Sequence, residues 1–169
     1  MATEPPITVT IENLDQVLKA LSPELYAKPL YNFWDRAGMQ VENLARQKSP
    51  VDVGRLRASM THIIDSDSPP AWCMVGSNVE YAPYMEYGTG TQSDGPGGHT
   101  RHWPPASALD VWAVRHGFPS GAFVAQIIGR RGGLEPRRFL RDAFAESLGN
   151  IASFLDRLAS DIGANWSNP

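Results

Sequence analysis

Residues 49–59, Ser-Pro-Val-Asp-Val-Gly-Arg-Leu-Arg-Ala-Ser, close one amphipathic helix and open the next element without a slack residue. Pro50 pushes Ser49 out of helical geometry, so the preceding helix stops there. Asp52 has a short side chain able to accept from backbone N–H groups two or three residues on, which is what a helix start needs. Asp52 and Gly54 are therefore expected to build the corner that sets a long helix against a sheet. Arg55 and Arg57 place two cations beside that corner, with Leu56 facing the other way, and are the residues left to meet a partner.

Working upstream, Leu30, Phe33, Trp34, Ala37, Val41, Leu44 and Ala45 repeat at steps of three and four, predicting a long amphipathic helix from Pro29 to Lys48 with Pro29 in its first turn. Before it, Ile7 to Glu12 alternate as a half-buried strand, and Asn13 caps a short helix bearing Leu14, Val17, Leu18 and Leu21. Downstream, Ser59–Ser66 and Ala71–Ser77 are β-prone runs joined by Asp67-Ser68-Pro69-Pro70, a hairpin signal. Val79–Tyr87 crowds Tyr81, Tyr84, Met85 and Tyr87 beside Glu80 and Glu86, fits a short helix with an aromatic face, and ends at Gly88. Thr91–Thr100 has no periodicity and reads as a mobile loop.

Two short helices follow, Ser107–His116 and Ser120–Arg131, the second stopped by Gly132-Gly133. After Pro136 a long helix keeps Phe144, Leu148, Ile151, Leu155, Leu158 and Ile162 on one stripe over about five turns. Two long helices bracketing a small, mainly antiparallel sheet make an α+β fold with a long glycine-rich loop. The chain reads as one domain over 1–169: a strand, helix and hairpin core at 7–87, a flexible loop or arm at 88–106, and a helical part at 107–166.

A 169-residue chain with 42% hydrophobic residues has material for one core. A formal net charge of −3 argues against a protein that coats DNA through a basic stripe. The single cysteine, Cys73, makes no intrachain disulfide, which suits a reducing compartment. No stretch approaches the ~18 apolar residues of a membrane span, and no export signal is visible. Glycine and proline make up 29 residues, above the roughly 12% expected, and crowd between Gly88 and Pro136.

Chemistry-bearing patterns are sparse. His99 and His102 lie three apart, but no cysteine pair or carboxylate cluster completes a ligand set, so no metal or cofactor is expected. Cys73, in Trp72-Cys73-Met74-Val75, fits a buried inert thiol better than a nucleophile. Gly88-Thr89-Gly90 lacks the lysine of a phosphate loop. Glu80 and Glu86 suggest a hydrolase pair with His99 or His102, or, more simply, a solvated or subunit-contacting edge. Arg130, Arg131, Arg137, Arg138 and Arg141 cluster around the start of the last helix, where cations oppose the macrodipole. They call for a partner that supplies negative charge, so Arg141→Glu is expected to weaken assembly more than folding.

Three blocks together carry a resemblance. Pro50-x-Asp52-x-Gly54-Arg55-Leu56-x-x-Ser59, then Val75-Gly76-Ser77-Asn78-Val79-Glu80-Tyr81-Ala82-Pro83-Tyr84-Met85-Glu86-Tyr87-Gly88-Thr89, then Pro136-Arg137-Arg138-Phe139-Leu140-Arg141-Asp142-Ala143, resemble in order the tail-completion or head-to-tail joining proteins of long-tailed, lambda-like bacteriophages. The chain departs from that pattern with Asp142 where proline is commoner and Val53 where threonine is frequent. The resemblance implies a non-enzymatic virion protein of the neck with no catalytic residues. It also implies a homo-oligomeric ring, six- or twelve-fold, between the head-tail connector or stopper and the tail terminator or tube, through which genomic DNA passes. A ring subunit needs two unlike side faces, and the candidates are Tyr81, Tyr84, Glu86 and Tyr87 on one side and Arg137, Arg138 and Arg141 on the other, with Arg55 and Arg57 nearby. The glycine-rich loop is an arm that orders against a neighbour. A small hydrolase and a DNA-binding module working through the arginines are the alternatives.

Overall fold

A computed structural model describes residues 22–96 and 100–167. The expected strand Ile7–Glu12, the helix from Asn13 to Leu21, and His99 lie outside them. The described chain is α+β: two long helices, with a two-stranded antiparallel sheet packed against them.

Helix α1 spans Pro23–Lys48 and buries Phe33, Ala37, Val41 and Ala45 on one face. It begins six residues earlier than its apolar spacing suggests. Ser22 is extended and Pro23 takes the first helical position, so Pro29 lies inside the helix rather than in its first turn. An internal proline removes the N–H that would bond the carbonyl four residues back, here Leu25. Asn165 Nδ2 donates to the Leu25 oxygen at 2.6 Å and fills that vacancy from a segment 140 residues away. Asn165→Leu is therefore expected to cost about 1 kcal/mol and to speed amide exchange in the first two turns of α1. Exchange rates there equal to the parent's would show that the bond is idle.

At its other end α1 stops at Ser49, whose amide and hydroxyl both donate to the Ala45 carbonyl. The corner then differs from its expected build. Asp52 caps nothing; it accepts from Arg115 Nη1 at 2.7 Å and faces His116. The N-cap of the short helix α2, Arg55–Ala58, is Gly54 at φ +79°, a left-handed conformation that a side chain would strain. Leu56 is buried beneath it.

Strands β1, Met60–Ile64, and β2, Cys73–Ser77, pair in register Met60↔Ser77 through Ile64↔Cys73. Met60, His62 and Ile64 are more covered than Thr61 and Ile63, and the hairpin crosses α1 most closely at Gly38. A Cβ there would meet the His62 ring and the Cys73 sulfur. Trp34 Nε1 donates to the Pro70 oxygen and fastens the hairpin loop to α1.

Helix α3, Ala82–Tyr87, and a 3₁₀ turn at Gly90–Gln92 follow. Helices α4, Ala106–Arg115, and α5, Gly121–Arg131, form their own small cluster around Ala113, Val124 and Ile128. Gly132 ends α5 in the left-handed conformation, as the sequence predicts, and the Ser120 hydroxyl, one residue before the helix, accepts from the Phe123 amide as its cap.

Helix α6, Phe139–Ser167, lies antiparallel to α1, since Asn165 meets Leu25 while Lys48 pairs with Glu146. The sheet packs mostly on α1 and meets α6 at its base, where Met60 lies in the same core as Phe139 and Ala143. The two arms meet at the hairpin base, where Met60 joins Leu56, Ala45, Val79, Ala82, Phe139 and Ala143 in one core. Helix α6 packs through Phe139, Ala143 and Ser147. The Phe144–Ile162 stripe is covered only in part: Ile151, Leu158 and Ile162 are partly buried, while Phe144, Leu148 and Leu155 remain about half exposed.

Candidate partner-binding face and the junction behind it

The three sequence blocks converge on one junction. Leu56 comes from the first, Val79 and Ala82 from the second, and Phe139 and Ala143 from the third, and all five are buried in the same cluster. Because buried side chains in one cluster are close-packed, a change in any one is felt by the others.

Above this core Glu86 takes a role that its sequence neighbours do not reveal. It is 5% exposed, and its carboxylate accepts from the Leu140 amide at 2.8 Å and the Arg141 amide at 3.1 Å. These are free N–H groups in the first turn of α6, where a negative charge also complements the helix dipole. Arg141 Nε donates to the same carboxylate at 2.9 Å, and Nη2 donates to the Glu86 carbonyl and to Asp94 Oδ1. The guanidinium lies 4.8 Å from the centre of the Tyr87 ring. Arg138 donates to the other Asp94 oxygen at 2.6 Å.

The negative charge for Arg138 and Arg141 thus comes from within the chain. Hydrogen bonds to Asp94 and then Glu86 hold the Arg141 pKa above its ordinary value, and Arg141 followed by Arg138 holds the Asp94 carboxyl below its own. Glu86 is no solvated edge, and Arg141 is a fold residue: Arg141→Glu would face Glu86 and Asp94 and is now expected to damage folding itself. Arg57 is also engaged, donating to the Arg46 carbonyl at 3.0 Å.

Asp94 belongs to the segment expected to be a free arm. From Thr89 to Gly95 that segment is docked. The Thr89 and Thr91 amides donate to the Leu134 and Gly132 carbonyls, the Leu134 amide donates to Thr89 Oγ1, and Gln92 donates to the Arg131 carbonyl. Gly88 makes this return possible. Its φ is +72°, and a Cβ would collide with the Leu134 oxygen and the Pro136 nitrogen. No sequence signal pairs 88–94 with 131–141, because the contact is between irregular backbones.

The residues left exposed in the three blocks include aromatic and basic ones, with the acids Glu80 and Glu135 close by in sequence. Tyr81, Tyr84 and Tyr87 are 39%, 57% and 37% exposed, and Arg55 and Arg137 are exposed. Tyrosine beside arginine is the composition favoured at buried interface centres. A shallow pocket of about 400 Å³ lies against Tyr84, Tyr87, Ser93 and His102.

A second, larger groove of about 730 Å³ runs between α1 and the hairpin loop, lined by Tyr31, Asn32, Asp35, His62, Asp65 and Asp67 among others. His62 stands at its wall with Nδ1 2.6 Å from Glu42 and Nε2 3.4 Å from Asp35, while Arg46 holds the other Glu42 oxygen. Partial burial opposes the charged ring, but the bonds to Glu42 and Asp35 outweigh it and raise the His62 pKa. A group raised on folding stabilises fully below its unfolded value near 6.5, and that stability is lost as pH rises through the folded value. As pH rises above about 6.5, urea melts of the parent should lose more stability than those of His62→Gln. Parallel pH curves would contradict the assignment. Among the described residues no three His, Cys, Asp or Glu side chains are grouped to hold a metal ion.

No family model, no curated protein and no solved structure matches this chain. No helix among the described residues is long and apolar enough to cross a membrane.

Proposed function

We propose that this chain is a structural protein of the neck of a long-tailed, lambda-like phage, a tail-completion or head-tail adaptor that forms a ring, joins the tail to the filled head and lets DNA pass. The observation that carries the reading is the convergence of the three resembling blocks on one buried junction, with Leu56, Val79, Ala82, Phe139 and Ala143 in contact as a set. In this reading the junction holds the exposed tyrosines and Arg55 and Arg137 at fixed spacing, ready for a neighbouring subunit. Connector or stopper proteins on the head side and terminator or tube proteins on the tail side are the further partners, and the virion is its place. The net charge of −3 suits a channel wall along which DNA slides without sticking.

The hydrolase alternative loses its strongest acid. Both Glu86 oxygens are occupied by α6 amides and Arg141, which leaves no lone pair well placed for a substrate proton. The DNA-binding alternative loses Arg138 and Arg141 to Asp94.

The purified chain should assemble into discrete rings by light scattering and particle imaging, and should restore head-to-tail joining to particles lacking it. A monomer that fails to restore joining sinks the proposal.

A further inference from the structure

Within its own fold the chain shows how it holds a guanidinium. Arg141 lies between two carboxylates, Glu86 and Asp94, with its guanidinium 4.8 Å from the centre of the Tyr87 ring. A planar cation favours this combination of paired carboxylates and an aromatic face.

The groove between α1 and the hairpin loop carries the same chemistry. Asp35, Asp65 and Asp67 line it beside Tyr31, which is 50% exposed, and no arginine of the chain is among its lining residues. Asp65 accepts from the Asp67 and Ala71 amides, which fixes the loop that presents Asp67. Asp67 itself is exposed and bonds through its backbone. His62 meets Oδ1 of Asp35, leaving the second oxygen of a side chain that is 41% exposed. Against these three acids the lining sets Lys28 and His62, so the groove has no cationic excess.

The matching cations lie at the other end of the molecule. Arg130 and Arg131 close α5, and Arg137 precedes α6. Unlike Arg138 and Arg141, which Asp94 and Glu86 hold, these three are in no ion pair among the described residues, and all are exposed. Glu135 is the one acid between them in sequence. The Thr91 amide bonds the Gly132 carbonyl and the Arg137 amide bonds the Met85 carbonyl, so the arginines flank residues 85–94 from two sides.

No copy can satisfy its own groove with these arginines. The groove is walled by residues 27–35 of α1, whereas Ala45 packs with Phe139 where α6 begins. Tyr31 and Ala45 are about 21 Å apart along the helix at a rise of about 1.5 Å per residue, beyond the span of an arginine side chain. Between copies the two surfaces are free to meet. Because they are unlike, their contact is heterologous and runs head to tail.

We propose that the acidic groove takes the exposed arginines of the 130–137 edge from a second copy of this chain. The inference rests on the ring reading above and names what Arg137 meets on the neighbouring subunit: the carboxylates of Asp35 and Asp67, with Tyr31 as the stacking face.

Two full-chain variants with one live surface each test it. The groove variant is Asp35→Asn with Asp67→Asn, and the edge variant is Arg130→Gln, Arg131→Gln and Arg137→Gln. Each alone should self-associate at least about tenfold more weakly than the parent. Mixed in equal amounts they should form a dimer with one chain of each kind and stop there, because the remaining groove and the remaining edge are both neutralised. Light scattering with each variant labelled in turn reads this. Raising sodium chloride from about 50 mM to about 500 mM should weaken that dimer by about tenfold or more. A mixture that stays monomeric, variants that self-associate as the parent does, or a dimer indifferent to salt would each overturn the inference. Should the groove variant melt early through loss of the His62 contact, Asp67→Asn alone takes its place with the same expected pairing. A mixed dimer without a ring in the particle would count against the neck proposal alone, and rings formed equally by the parent and both variants would count against this contact alone.

Discussion

Phe139→Ala should lower stability by about 4 kcal/mol and the melting temperature by about 10 °C. Phe139 is 2% exposed at the first residue of α6, in the cluster that also holds Leu56, Met60, Val79 and Ala82. Removing the ring leaves a hole between elements that come from three distant parts of the chain, and none can close it without giving up its own contacts. Leu56→Ala should cost a comparable amount from the other side of the same cluster. Because the two residues share that core, their combined cost should fall short of additivity by at least about 0.5 kcal/mol. Chemical melts of the four proteins check this. Strict additivity would mean that the blocks pack separately and that the junction is not one unit.

Glu86→Ala should cost about 2–3 kcal/mol, through a different mechanism. The substitution frees the first-turn amides of α6 at Leu140 and Arg141 and removes one of the two acids that hold Arg141. The loss is moderated because the Arg141 side chain is 40% exposed and keeps Asp94. Asp94→Ala, which removes only the outer partner, should be much milder, and amide exchange at the start of α6 should rise in Glu86→Ala alone. If the two variants were equal, the carboxylate at position 86 would be one more surface charge and the account of the junction would be wrong.

Much of the fold is legible in the chain because periodicity reports burial directly. The step pattern from Leu30 to Ala45, the β-prone runs around Asp67-Ser68-Pro69-Pro70, and the Gly132 stop each have a local cause, and each appears in the structure where expected. The start of α1 was hidden because the signal for it is remote. A proline at position 29 ordinarily marks a helix start, and the side chain that lets it sit inside the helix is Asn165. The corner misled for a similar reason: Asp52 has the right chemistry to cap α2 but finds Arg115. Arg138 and Arg141 looked unsatisfied because their acids lie more than forty residues away, Glu86 on a short helix whose facing is not set by its sequence and Asp94 in a segment without periodicity. The last helix shows the limit of the stripe argument. Its most regular apolar stripe is covered only in part, with Phe144, Leu148 and Leu155 about half exposed, while the most deeply buried positions beyond the first turn are Ala143 and Ser147, residues too small to stand out in a pattern.

An averaged image of the neck in intact particles is the decisive measurement for the proposed ring. The account predicts a ring of density between connector and tail tube into which the junction of residues 50–59, 79–88 and 136–143 fits repeatedly, with the exposed tyrosines against the adjacent subunit. A neck fully explained by other chains, with this protein absent from the purified particle, would contradict it.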